Sequence, residues 1–96
     1  MEDIYIITLY DYYSELLTLK QKEYFEDYYF SNLSLQEIAD LNDVSRNAVH
    51  KTITAIVDKL KFYEEKLKLY ENRKRINELL KNKISDELLD KVNEIV

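Results

Sequence analysis

No glycine, proline or cysteine occurs in the 96 residues. Glycine and proline punctuate turns and hairpins, so their absence argues against an all-β fold and for helices joined by polar connections. Without cysteine there are no disulfides, no thiolate nucleophiles and no Cys-based zinc sites. No apolar run approaches the roughly 20 residues that cross a bilayer. The opening string MEDIYIITLYDYY is acidic and lacks the positive charge of a signal peptide. The expectation is a cytoplasmic protein with no membrane partner.

What is present is helix-forming. Leu, Lys and Glu are abundant, as helix faces and surfaces prefer. A chain this short buries only about 60–65% of the surface its unfolded form exposes, so pairing with a second copy would add to a thin stability margin. The net charge of −5 opposes nucleic-acid binding, but it is unevenly spread. Residues 1–44 sum to −8 and residues 45–96 to +3. One face can therefore approach an anion while the other stays in solvent.

Along the chain, Ile6, Leu9, Tyr10, Tyr13, Leu16 and Leu17 recur at helical spacing and predict a first helix over residues 4–17. Thr18 and Gln21 form a capping pattern that starts a second helix, with Tyr24, Phe25, Tyr28 and Tyr29 as its aromatic face. Ser31 and Asn32 read as a connection. Ser34 and Glu37 form another capping box, opening a short third helix that buries Leu35, Ile38 and Ala39. Asn42 and Asp43 are types that tolerate a left-handed backbone, and Ser45 is an N-cap for a fourth helix beginning at Arg46.

In that fourth helix Val49, Ile53, Ile56, Leu60, Tyr63, Leu67 and Tyr70 alternate at spacings of four and three, a heptad seam. Ile56, Leu60, Tyr63, Leu67 and Tyr70 are thus candidates for helix packing or for a homodimer. The seam fails at Lys74, Asn77 and Lys81, and Ile76, Leu79, Leu80 and Ile84 take up a new phase. The chain is expected to kink, bend or restart near residues 70–73, and Ser85 to cap a last short helix through Leu88, Leu89, Val92 and Ile95. The organisation predicted is all-α. A domain at residues 1–70 holds a helix-turn-helix at 34–58 and a long fourth helix, and a C-terminal helical extension occupies 71–96, packed on the body or on a second copy.

The stretch that carries function is LSLQEIADLNDVSRNAVHKTITAIVDKL, residues 33–60. A short helix, a polar turn and a Ser-capped second helix form the geometry that sets a recognition helix into a major groove. Ala39 is small where the helices cross, Val44 is expected to plug the turn, and Val49 and Ile53 hold the second helix to the body. With Val49 inward, Asn47, His50, Lys51, Thr54 and Asp58 share the outer face, with Arg46 at its edge. Ser45, Arg46, Asn47, His50, Lys51 and Thr54 are the candidate nucleic-acid ligands, since such side chains bond base edges and phosphates. The helix amino terminus adds its own amide donors for an anion. Asp58 would repel a phosphate, so contact should stop before it.

These residues carry a family resemblance. EIADLNDVSRNAVHKTI resembles the helix-turn-helix of region 4 of bacterial sigma factors. The wider LLTLKQKEYFEDYYFSNLSLQEIADLNDVSRNAVHKTI is similar to the YlxM-like family of DNA-binding proteins, over about residues 9–70. The resemblance implies a sigma-region-4-like helical fold, dimers, and a role linked to the signal recognition particle pathway of bacterial protein targeting. Two positions depart from the family turn: Asn42 stands where an apolar residue is usual, and Asp43 where glycine or asparagine is usual. Leu41 is expected to supply the missing apolar contact from one position earlier.

Catalysis finds no support. His50 is the only histidine, and no HExxH, Ser-His-Asp or carboxylate-His cluster accompanies it. No glycine loop exists to cradle a nucleotide phosphate. The expectation is a non-enzyme with no metal, cofactor or small-molecule substrate. Arg73, Lys74 and Arg75, with Lys81 and Lys83, form a second basic cluster that is either a solvated face or a contact for RNA or an anionic protein. Two readings of function lead. One is a regulator that binds DNA or RNA through the fourth helix. The other is a helical adaptor whose partner is a protein component of the targeting particle. A purely structural dimerisation module is a third, weaker reading.

Overall fold

The structure, a computed structural model, describes residues 2–81. Among them are five α-helices and no strand: α1 (Glu2–Tyr13), α2 (Leu19–Tyr29), α3 (Leu35–Asn42), α4 (Arg46–Leu67) and α5 (Leu69–Leu80), with a 3₁₀ turn at Ser14–Leu16. The helix expected after Ser85, together with Lys83 and Ile84, lies outside the described residues. The all-α helix-turn-helix architecture is as the sequence implies.

Helix α4 packs against all four other helices, and α1 is covered on two sides for a reason its sequence gives. Ile6, Leu9, Tyr10 and Tyr13 form one buried stripe, while Tyr5 and Tyr12 lie on another side and meet Tyr70 of α5. A helix apolar on more than one face needs neighbours on more than one side, and α1 packs against both α4 and α5. The first helix is shorter than expected. It ends at Tyr13, because the chain tightens into the 3₁₀ turn to bring Leu17 into the core, leaving Leu16 exposed.

Capping then sets the entry of α2. Thr18 Oγ1 accepts from the Gln21 N–H at 3.1 Å, and Gln21 Oε1 accepts from the Thr18 N–H at 2.9 Å. On α2, Phe25 is fully buried and stacks on Tyr10, with ring centroids 4.2 Å apart and planes 2° apart. The Tyr10 hydroxyl reaches the rim and donates to Glu26 at 2.5 Å, so the ring is buried while its polar end is satisfied. Tyr28 and Tyr29 are half-buried against the same core.

The seam of α4 closes on its own chain. Val49, Ile53, Ile56 and Leu60 join Ile6, Leu9, Phe25, Ile38 and Ala39 in one hydrophobic cluster. Ile56 and Leu60 retain 1% and 0% of their surface, so they are taken up by helix packing and are not available to a second copy. Tyr63 is half-buried against Tyr13, Leu67 is 49% exposed, and Tyr70 packs on α1.

The restart comes at Lys68, not at residues 70–73. Lys68 takes a left-handed backbone (φ 55°, ψ 33°) that ends α4 and begins α5. The new helix has no side-chain cap from Lys68; instead Glu64 of α4 serves. Its Oε1 accepts from the Tyr70 N–H and its Oε2 from the Glu71 N–H, both at 3.1 Å. These amides belong to the first turn, which has no partners within the helix.

Candidate nucleic-acid interface

The helix-turn-helix is built from α3 and α4. Ser34 Oγ accepts from the Glu37 N–H at 3.0 Å while Glu37 Oε1 accepts from the Ser34 N–H at 3.1 Å, which fixes where α3 starts. Ile38 and Ala39 have no accessible surface. At the other end Asp43 adopts the left-handed conformation (φ 54°, ψ 48°), and the Val44 N–H bonds back to the Ala39 carbonyl at 3.1 Å. That is a Schellman-type closure made without glycine.

The turn is plugged differently from the sequence expectation. Val44 is 42% exposed and Leu41 is 70% exposed, so neither supplies an apolar stopper. Asn42 closes the corner through polar bonds. Its Nδ2 donates to the Ile38 carbonyl at 2.8 Å, and its Oδ1 accepts from Lys20 Nζ at 2.6 Å. The departure at Asn42 therefore exchanges an apolar contact for a tie between α3 and α2. Sequence spacing did not single out Lys20, since its partner lies 22 residues away.

Ser45 caps α4, its Oγ accepting from the Ala48 N–H at 3.1 Å. The N–H groups of Arg46 and Asn47 stand at the open end of the helix, where an anion is favoured. Ser45, Arg46, Asn47, His50, Lys51 and Thr54 are all exposed, on the first three turns of α4. Thr52 turns away and donates to the Ala48 carbonyl at 2.9 Å. His50 and Thr54 also line a shallow cleft with Tyr28, Tyr29 and Lys61, and Asp3 and Asp58 stand in its wall. Asp3 and Asp58 make the end of the face beyond Thr54 unfavourable for an anion. Among the described residues no group of three or more His, Cys, Asp or Glu side chains is placed to hold a metal ion.

A capped second helix, set by a glycine-free turn on a three-helix support and presenting polar and cationic side chains, defines a helix-turn-helix protein. The chain belongs to the UPF0122 family of YlxM/p13-like helix-turn-helix proteins, whose model matches residues 1–95. It is 43% identical to a UPF0122 protein of Ureaplasma urealyticum serovar 10, over 95% of this chain and 92% of that one. A UPF0122 protein of Fusobacterium nucleatum is 44% identical over 97% of this chain and 93% of its own. Among the described residues no helix is long and apolar enough to cross a membrane.

Proposed function

We propose that this protein is a nucleic-acid-binding regulator that docks the amino-terminal turns of α4 on DNA or RNA. The observation that supports the reading most directly is the open, Ser45-capped start of α4, where Arg46, Asn47, His50, Lys51 and Thr54 all face solvent. Arg46 and Asn47 are the side chains for base edges, and Lys51 and Thr54 for phosphate oxygens. The process regulated, on the family resemblance, is the signal recognition particle pathway, and the protein acts in the cytoplasm. Retention of a DNA or RNA pool by the protein, measured against salt, tests the reading. The double variant Arg46→Glu with Lys51→Glu abolishes retention, and unchanged retention at physiological salt overturns it.

The adaptor reading has its own observation. Asp11 and Glu15 on the α1 side and Glu23 and Glu26 on α2 are exposed, an acidic surface suited to a basic protein partner such as a component of the targeting particle. Recovery of one and the same protein from native lysate with and without nuclease favours the adaptor. Homodimerisation belongs to both readings. With Ile56 and Leu60 enclosed, a second copy would use the exposed Phe62, Leu67, Leu69 and Leu79. A monomer in equilibrium sedimentation at high micromolar concentration removes the dimer.

A further inference from the structure

Helix α5 is held in place largely by groups from other helices. The break before it rests on Lys68, which takes the left-handed backbone. Among the described residues only Asn32, Asp43 and Lys68 do so, and lysine, unlike asparagine or aspartate, is not a type that tolerates it. Leu, Lys and Glu predominate from Lys59 to Glu71, with no glycine or proline, so local preference favours one unbroken helix through the break. The seam residues Leu60, Tyr63, Leu67 and Tyr70 keep their helical spacing across it. What maintains the bend is tertiary. The Tyr13 hydroxyl accepts from the Leu69 N–H, and the Glu64 carboxylate accepts from the Tyr70 and Glu71 N–H groups. Beyond these bonds, α5 has no buried residue of its own. It leans on α1 through Tyr70, whose ring centroid is 5.7 Å from that of Tyr5 and 6.3 Å from that of Tyr12.

Straightening at Lys68 leaves no backbone donor unpaired. In a continuous helix the Leu69, Tyr70 and Glu71 N–H groups bond to the carbonyls of Glu65, Lys66 and Leu67, the acceptors that a helix end leaves over. The released α5 uncovers the Tyr5 and Tyr12 side of α1. The element whose side chains fit that side is another α5, and a second copy of the chain carries one. Contacts of α5 with α1 are the same within one chain or between two, so they cancel in the balance. What remains is the left-handed Lys68 on one side, and the Tyr13 and Glu64 caps and the cost of association on the other. A short hinge under strain is the setting in which identical elements are exchanged. We propose that α5 is an exchangeable arm: Lys68 straightens, α4 and α5 become one helix, and α5 packs on α1 of a second copy, which returns its own. The hinge is at the far end of α4 from Arg46, about 33 Å away, so exchange joins two copies without covering the nucleic-acid face. It differs from pairing through the exposed Phe62 and leucines, in which each α5 stays on its own chain.

The test is sedimentation equilibrium of the full chain up to millimolar concentration, with variants that push the hinge in opposite directions. Tyr13→Phe leaves the Leu69 N–H without its acceptor only in the bent form, so the dimer should tighten by about tenfold. Lys68→Gly suits the bend and weakens a continuous helix, so in the wild-type or the Tyr13→Phe background the dimer should loosen at least about tenfold. Lys68 is exposed, so its substitution disturbs no core, and far-ultraviolet circular dichroism checks Tyr13→Phe. The chain has no cysteine, so single introduced ones report proximity. Thr8 of α1 and Lys74 of α5 line the same groove. A tagged Thr8→Cys chain mixed with an untagged Lys74→Cys chain should form a mixed disulfide under mild oxidation, and adding Lys68→Gly to both should suppress it. Three results overturn the exchange: a monomer in wild type and Tyr13→Phe alike at millimolar concentration, a dimer that Lys68→Gly leaves equally tight, or a dimer without the mixed disulfide. The last two describe a pair of unexchanged chains.

Discussion

The Tyr13 hydroxyl donates to the Glu64 carboxylate at 2.6 Å, across 51 residues of sequence, inside the junction of α1, α4 and α5. The same hydroxyl accepts from the Leu69 N–H at 3.0 Å, and the carboxylate holds the next two amides of α5. Glu64 is the one buried charged residue among the described residues, and its bonds are the reason it is tolerated there. The pair fixes the direction in which α5 leaves the Lys68 break.

Removing either partner should therefore loosen α5 more than it disturbs the core. Tyr13→Phe keeps the ring and strips the donor from Glu64 and the acceptor from Leu69, a loss of about 1–3 kcal/mol. Glu64→Leu leaves three donors without an acceptor and should cost at least as much. Urea unfolding gives the total, and amide exchange at Leu69, Tyr70 and Glu71 should accelerate first. Exchange at these amides that stays at the wild-type rate in Tyr13→Phe would sink the idea.

The same contacts predict how stability responds to alkali. Burial, and then the bond to Glu64, pushes the Tyr13 hydroxyl up to about 12 from 10.0. Burial, and then the bond to Glu26, raises Tyr10 as well. An unfolded chain releases these protons near pH 10, while the folded chain keeps them. The stability they confer is whole below pH 10 and is lost as pH rises through about 12. In a spectrophotometric titration Tyr10 and Tyr13 should ionise late, as the helices unfold. A single step near pH 10 with helicity intact would contradict this.

What sequence could show depended on range. The caps at Thr18, Ser34 and Ser45 were readable because both partners lie within three residues of each other. The outward face of α4 followed from the 3.6-residue period once Val49 was placed inward. Spacing along α4 did not mark Glu64, because its partner Tyr13 and the amides that need it belong to other helices. Asn42 looked like a defect in an apolar turn for the same reason, its bond to Lys20 being a tertiary one. Lys68 is not a residue type associated with left-handed backbone, so the seam's failure was visible but its position was not.

Lys68 also offers a simple gain in stability. A non-glycine residue in the left-handed region costs about 1–2 kcal/mol, and glycine gives back roughly 0.5–1 kcal/mol of that through its freer unfolded chain. Lys68→Gly should then stabilise the protein by about 0.5–1 kcal/mol, raising Tm by about 2–8 °C. The bond from the Lys68 N–H to the Glu64 carbonyl, 2.8 Å, is kept in the variant. Lys68→Ala relieves no strain and should not raise Tm. Thermal melts of the two variants decide, and a lower Tm for Lys68→Gly would show that the left-handed residue is not strained.

The last prediction separates the shape of the helix-turn-helix from its surface. Ala39 has no accessible surface in the core shared by α3 and α4, so a larger side chain must push those helices apart. Ala39→Leu should cost about 1–3 kcal/mol by overpacking and should re-angle α4, reducing nucleic-acid retention although no exposed residue has changed. Ser45→Ala removes the cap on α4 for about 0.5–2 kcal/mol and frays the turn that carries Arg46 and Asn47. It should weaken retention while leaving the core intact, and Ser45→Gly should cost only a few tenths. Retention unaffected by Ala39→Leu in protein that is folded by circular dichroism would mean that α4 acts without being held at a set angle. The contact would then be electrostatic alone, and a steep salt dependence without sequence preference would accompany it.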